Sequence, residues 1–518
     1  MDGTPPPQLP LEAVRAAREL LEAIARDRAL LSALPQEERV ALLRAAGRVA
    51  RPTPEEERRE SRAVRRRRHG ARRAADREAL EAAGIRAARE APVFVPPPRL
   101  TLGEAGAARA EAGPELSTPR NCYVCKQPYT RLHAFYDALC MACAALNYEK
   151  RFQSADLSGR VALVTGARVK IGYHIALKLL RAGARVIATT RFPRDAARRY
   201  AQEPDWAQLA PRLEVVGLDL RHAPSVELFA DHLARTRERL DVLINNACQT
   251  VRRPPGFYAH LLELELAPRE GLPAAWREPL AAWEALRQGL RERALPGPRD
   301  EAALLAGGLL ADAPRAPGLL DPAGLSQLRT AWDGQDGFGV FPAGRTDADE
   351  QQVDLRAHNS WRMTLGEVPP WEMLEVQLVN AVAPFILASR LKPLLLRART
   401  GAAHVINVSA MEGSFSRGTK TDRHPHTNMA KAALNMLTLT SAPDYARDGI
   451  WMNAVDTGWV TDEDPAQHAA RKREQLGFQP PLDVIDGAAR VLDPLFSGLL
   501  TGRHAWGKFW KDYAPTSW

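Results

Sequence analysis

The sequence predicts an α/β chain whose carboxy-terminal two thirds is a doubly wound parallel sheet, preceded by a helical region and a small metal-binding module. Three observations carry that prediction. From Leu157 onward, apolar runs of strand length alternate with amphipathic helical stretches. Four of the five cysteines form C-x2-C-x14-C-x2-C at Cys122, Cys125, Cys140 and Cys143. Residues 11–50 place leucine, valine and alanine at three- and four-residue steps.

A chain of 518 residues exceeds what one core fills, so several domains are expected. They are a helical region with a Pro-rich linker (1–98), the four-cysteine module (120–150), and the α/β domain (157–518). The net charge of +9 is modest for this length, and the Arg65–Arg68 run reads as a solvated helix face. Nucleic acid is therefore not the expected partner. No apolar stretch approaches the roughly 20 residues that span a bilayer, and Met1–Pro10 lacks a basic-then-apolar signal. No membrane partner and a cytoplasmic location are expected.

A charged helix is predicted over Glu55–Glu90. In the α/β domain the expected strands are Arg160–Thr165, Arg185–Thr190, Leu213–Leu218 and Leu240–Asn245, with helices at Gly172–Ala182 and Val226–Glu238. The rhythm then stops. About 252–357 is a long Pro-, Arg- and Leu-rich insertion with a helical piece at Leu280–Leu290 and a Gly-rich turn at Gly334–Gly339. The rhythm resumes with a helix at Trp371–Leu391, a strand at His404–Ser409, a helix at Met429–Ala442 and a strand at Trp451–Val455. Such insertions usually cover a site or make an interface. The end of this one, Gln351–Trp361, is the expected substrate or partner contact.

Between the first strand and first helix lies Thr165-Gly166-Ala167-Arg168-Val169-Lys170-Ile171-Gly172. A Gly-rich turn there lets backbone N–H groups approach a pyrophosphate, helped by the helix dipole, as in a Rossmann domain. Asp219-Leu220 follows the third strand, where a carboxylate can accept from an adenine amino group. Asn245-Asn246-Ala247 ends the fourth, and Asp456-Thr457-Gly458-Trp459-Val460-Thr461 follows the sixth.

Over about 157–250 and 370–512 these motifs resemble the short-chain dehydrogenase/reductase family. The resemblance implies a nucleotide site built from Thr165, Gly166, Arg168, Lys170, Ile171, Gly172, Arg191, Asp219, Leu220, Asn246, Ala247, Lys431, Gly458, Val460 and Thr461. Lys170 stands where the family usually has Gly, a variant similar to pteridine reductases. The second strand ends in Arg191 with no carboxylate to hold a free ribose 2′-hydroxyl, so both cations are expected to meet the 2′-phosphate of NADP(H).

The same resemblance implies a Ser, a Lys, an Asn and a Tyr as catalytic groups. Ser409, Lys431 and Asn380 match the first three. Four residues before Lys431 stands Thr427, where the family has Tyr. A phenol can be tuned toward neutrality by an adjacent ammonium; an aliphatic hydroxyl cannot. His424, His426 and Glu412 are the available substitutes, with His426 taken alongside Thr427 in the candidate catalytic set.

Two C-x2-C knuckles supply four thiolates, the closed set of a structural Zn2+ site. Tyr123, Lys126, Tyr129, Arg131, His133 and Phe135 around it are candidates for a small protein- or nucleic-acid-binding surface. The function expected first is an NADP(H)-dependent oxidoreductase acting on a carbonyl or alcohol of a small-molecule substrate. The alternative is a catalytically silent NADP-binding scaffold whose zinc module or amino-terminal helices recruit a protein partner. A homo-oligomer is expected by analogy with the family.

Overall fold

The computed structural model describes residues 10–90, 112–294, 316–328, 338–347, 349–398 and 401–518. The expected linker at 91–98 and most of the Gly334–Gly339 turn lie outside them. The chain forms two compact units, divided between Ala75 and Asp76. The first is helical: α1 (Leu11–Arg26), a 3-10 turn, α2 (Gln36–Ala50) and the start of α3 (Pro54–Glu81). Its apolar stripe, including Leu11, Leu20 and Leu21, is exposed, as are Arg65–Arg68 on α3.

The single helix expected over Glu55–Glu90 is broken. It ends at Glu81, and a second helix, α4 (Gly84–Glu90), begins after a turn. The break has a tertiary cause. The N–H groups of Gly84 and Ile85 donate to the carbonyls of Ala134 and Phe135, and a Cβ at Gly84 would lie 3.0 Å from the Phe135 ring. The chain must turn there to dock on the cysteine module. That module is an antiparallel pair, β1 (Ala112–Asn121) and β2 (Pro128–His133), followed by α5 (Met141–Phe152). It begins upstream of the expected boundary at 120.

The α/β domain contains β3 (Val161–Thr165), α6 (Lys170–Arg181), β4 (Arg185–Thr190), α7 (Pro193–Tyr200), β5 (Leu213–Gly217), α8 (Ala223–Thr236) and β6 (Val242–Asn245). After the insertion, which carries α9 (Ala281–Ala294), come α10 (Pro370–Gln377), α11 (Ala383–Leu396), β7 (Ala403–Ser409), α12 (Pro425–Arg447), β8 (Ile450–Asp456) and α13 (Val484–Thr501). The chain closes with β9 (Phe509–Lys511) and β10 (Ala514–Thr516). The sheet order is β10-β9-β8-β7-β6-β3-β4-β5, parallel except for β10, with the order reversing at β3. Ligands bind at that switch, outside the carboxyl ends of the strands.

The insertion guards the β5 edge. Val215 N–H donates to the Pro279 carbonyl at 2.7 Å, and the Trp283 indole packs so closely over Gly217 that a Cβ there would sit 2.4 Å from the ring. Leu280, Trp283 and Leu319 join the main core. Covering an edge strand removes an open pairing template. The helix expected at Trp371–Leu391 is interrupted by a π-helical turn, Leu378–Val382. Contrary to the expectation from sequence, the run Pro370–Leu396 is long and apolar enough to cross a bilayer by length and composition. Its Ala383, Leu387 and Leu391 are buried in the core, as a packed helix requires.

Candidate functional site

The carboxyl ends of the strands open into a cavity of about 1410 Å³. Its floor is the Gly-rich turn. Gly166 has φ +67, and a Cβ there would meet Ala247 Cα at 2.8 Å; a Cβ at Gly172 would meet the Gly166 carbonyl at 2.2 Å and Asn246 Nδ2 at 2.4 Å. Glycine is required at both because the β3 and β6 loops touch. Thr165 Oγ1 accepts from the N–H groups of Asn246 and Ala247 at 3.0 Å, and Asn246 Nδ2 donates to the carbonyls of Thr165 and Gly166. Thr165 and Asn246 thus hold the turn together. The residue before α6, Val169, supplies no side-chain cap, so the helix begins with unclaimed N–H donors where Val169, Lys170 and Ile171 line the cavity.

The expected cations take different partners. Lys170 occupies a left-handed backbone conformation, φ 54, the reason glycine usually stands there. Burial would lower its pKa, but Glu463, Asp349 and Asp347 outweigh that and raise it. Arg191 donates to Tyr258 Oη at 2.7 Å and lies over that ring. Burial would push the Tyr258 phenol up; Arg191 and Arg253 hold it below its ordinary value instead. Arg168 is committed elsewhere, donating to Asp195 and Gln351 at 2.7 Å each. The Asp219 carboxylate is gripped by Arg221 at 2.7 Å, so an adenine amino group would share it. Leu220 lines the cavity beside it.

The catalytic candidates gather around β7. Lys431 Nζ donates to the Val408 carbonyl at 2.7 Å, and Ser409 Oγ donates to Asn435 Oδ1 at 2.5 Å. Asn435 is one helical turn beyond Lys431, the face on which the sequence could have revealed it. Asn380 lies in the π turn and clamps the Gln249 backbone, accepting from its N–H at 2.8 Å and donating to its carbonyl at 3.2 Å. It positions the loop after β6. Thr427 lines the cavity, with Oγ1 3.5 Å from the Thr250 carbonyl.

His426 does not reach this cavity. It is 1% exposed and turned toward Glu372, with Nε2 3.6 Å from the carboxylate, because α12 starts immediately before it and points it at α10. His424 takes its place. It lines the cavity, stacks on Trp361 with ring centroids 3.9 Å apart, and has a buried Nδ1 with no hydrogen-bond partner. Burial lowers its pKa to about 4, so the imidazole is neutral at neutral pH. Tyr258 cannot stand in for the absent family Tyr: it sits against β4, three strand spacings or about 14 Å from β7.

The four sulfur atoms of Cys122, Cys125, Cys140 and Cys143 lie within 4.8 Å of one another, with Cys125 and Cys140 at 3.7 Å. A tetrahedron with metal–sulfur bonds of about 2.3 Å has edges of about 3.8 Å, so the cluster could hold zinc. Burial raises the Cys140 and Cys143 thiol pKa values, an effect a bound cation would reverse. Tyr123 and Lys126, expected on a partner surface, instead line the cavity; so do Gln351 and Trp361 from the insertion's end. Tyr123 carried no local signal, since its place in the cavity depends on how the module docks.

Residues 160–259 match the short chain dehydrogenase family and 356–479 match the enoyl-(acyl carrier protein) reductase family, leaving the insertion between them. An uncharacterised protein of Acanthamoeba polyphaga mimivirus is 32% identical over 410 residues, covering 76% of this chain and 74% of that protein. Human dehydrogenase/reductase SDR family member 13 is 42% identical over 94 residues, but these are 18% of this chain and 24% of that protein. Among solved structures, NADPH-bound carbonyl reductase from chicken fatty liver aligns with 70% of this chain and 100% of its own, at 19% identity and a TM-score of 0.39. With its motifs, its sheet order and the two family matches, the chain belongs to the short-chain dehydrogenase/reductase family.

Proposed function

We propose that the chain is an NADP(H)-dependent oxidoreductase of carbonyl or alcohol substrates. The observation that carries this reading is one cavity lined by both the uncapped, glycine-bounded start of α6 and the Ser409–Lys431 pair. The cofactor, when bound, supplies or accepts the hydride. The glycine cradle and the start of α6 would hold its pyrophosphate, with Lys170 and Arg191 available to a 2′-phosphate. Lys431 would exchange its Val408 partner for ribose hydroxyls, and Ser409 would turn from Asn435 toward the substrate oxygen. His424, neutral and lining the cavity, is the chain's best acceptor for a proton from a substrate hydroxyl.

Three observations favour the second reading, a silent NADP-binding scaffold. Ser409 and Lys431 already have partners within the protein, and no phenol stands at position 427. The amino-terminal helices expose an apolar stripe that a protein partner could cover. NADPH binding followed by substrate-dependent loss of its absorbance across a carbonyl and alcohol panel would establish the first reading. Binding without turnover across that panel would establish the second. We read the four-cysteine cluster as a structural zinc site, testable by metal analysis of wild type and Cys125→Ser. Phe385, Met429 and Met436, exposed on α11 and α12, support a homo-oligomer through those helices.

A further inference from the structure

The cysteine module is not an appendage. Its helix α5 lies on α13 through a buried ionic cluster: Arg151 Nη1 meets Asp483 Oδ1 at 2.7 Å and Asp486 Oδ1 at 2.9 Å, and Tyr136 Oη donates to Asp486 at 2.5 Å. From this base three contacts reach the Thr457–Thr461 loop after β8, which lines the cavity.

In the first, Trp459 N–H donates to Tyr123 Oη at 2.9 Å, and Tyr123 directly follows Cys122 in the first knuckle. The second runs through Arg490, whose side chain is 1% exposed. Its Nη1 donates to the Thr457 carbonyl and its Nη2 to Asn147 Oδ1, both at 3.0 Å; Asn147 Nδ2 in turn donates to the Cys143 carbonyl at 2.8 Å. In the third, Val460 and Ile171 pack in the same apolar cluster as Cys122, Tyr136 and Leu139. The loop has no helix or strand of its own. Its shape is held from behind by the two knuckles.

The side of the cavity follows from topology. A pyrophosphate at the start of α6 divides the ligand, with the adenosine toward β4 and β5 and the other mononucleotide toward β7 and β8. The 457–461 loop, following β8, faces the second half. We infer that the four-cysteine site is a positioning element of the cofactor pocket: through Tyr123 and Arg490, metal occupancy sets the loop that receives the nicotinamide half of NADP(H). This rests on the cofactor reading above. Lys126, directly after Cys125, closes the knuckle at φ 63 with its N–H donating to the Cys122 carbonyl at 3.0 Å, a conformation that a bound metal would hold; without the metal, Tyr123 loses its fixed place. Linkage makes the effect reciprocal, so cofactor must slow metal loss.

The test titrates NADPH and 2′,5′-ADP, which carries the adenosine half alone, against wild type, Tyr123→Phe and chelator-stripped wild type. Zinc content and melting temperature are measured alongside. Tyr123→Phe should keep its zinc and its melting temperature. Its Kd for NADPH should rise about three- to tenfold, the worth of one hydrogen bond, while its Kd for 2′,5′-ADP stays unchanged. Stripping should weaken NADPH further and spare 2′,5′-ADP, and saturating NADPH should slow zinc transfer to a chelating dye. An unchanged NADPH Kd in Tyr123→Phe overturns the inference, as does equal weakening of both ligands. If neither ligand binds wild type, the cofactor reading itself falls, a result distinct from either of these.

Discussion

Replacing Arg151 with Met would leave Asp483 and Asp486 buried without their shared counter-charge. The Arg151 side chain is 2% exposed, and its Nη1 bridges both carboxylates. Removing one partner of a buried pair costs about 3–5 kcal/mol, mostly from the stranded charge. Here the stranded groups keep some donors. Asp483 Oδ1 still accepts from the N–H groups of Ile485 and Asp486, and Asp486 keeps Tyr136. The loss should therefore fall in the lower part of that range, about 3–4 kcal/mol. At about 2–4 °C per kcal/mol, that is a melting temperature lower by about 6–16 °C.

The loss also has a pH signature. Burial, then Asp483, already raises the Asp486 pKa with Arg151 present, and losing the guanidinium raises it further. A carboxyl raised in the folded state binds more protons there than in the unfolded chain, so its contribution to stability falls as pH rises above the unfolded value of about 4. The deficit of Arg151→Met relative to wild type should therefore shrink between pH 7 and pH 5. Thermal melts or urea unfolding at the two pH values read it directly. A deficit below about 1 kcal/mol at pH 7, or one that grows at pH 5, would refute the argument.

Lys170→Gly relieves the left-handed backbone at φ 54 but strips Glu463 and Asp347 of their neighbouring cation, so it should bring no net gain in stability while lowering the preference for NADP over NAD in paired titrations. Gly172→Ala places a Cβ 2.2 Å from the Gly166 carbonyl and should weaken NADPH binding by at least tenfold; retained affinity would mean the turn is not the pyrophosphate cradle. If the chain turns over, His424→Gln should lower kcat by about 10²-fold or more, whereas His426→Gln, facing Glu372 away from the cavity, should change stability more than kcat. Equal kcat losses in the two variants would dissolve that distinction.

Much of the α/β domain was legible because its strands are short apolar runs bounded by turns, and its motifs sit at strand ends where local backbone chemistry dictates them. β4 (Arg185–Thr190) falls where the sequence puts it, and the gap between the two family matches falls on the insertion. The helix expected over Glu55–Glu90 is broken after Glu81 by a pair of carbonyls at Ala134 and Phe135, some fifty positions away, which no local pattern signals. His424 and His426 could not be ranked from sequence. They are two residues apart at the start of α12, and only the helix's orientation decides which one meets the cavity and which one meets α10.

The sequence alone determined six of the eight strands of the sheet, the glycine turn, the four-thiolate cluster and the absence of a Tyr at position 427, since each depends on residue type and spacing within one segment. Only the tertiary structure decided how those pieces meet. It set Lys170 among carboxylates and Arg191 against Tyr258, and it seated Tyr123 of the cysteine module behind Trp459. The physical reason is that side-chain contacts between segments far apart in the chain depend on docking geometry, and no local propensity encodes that.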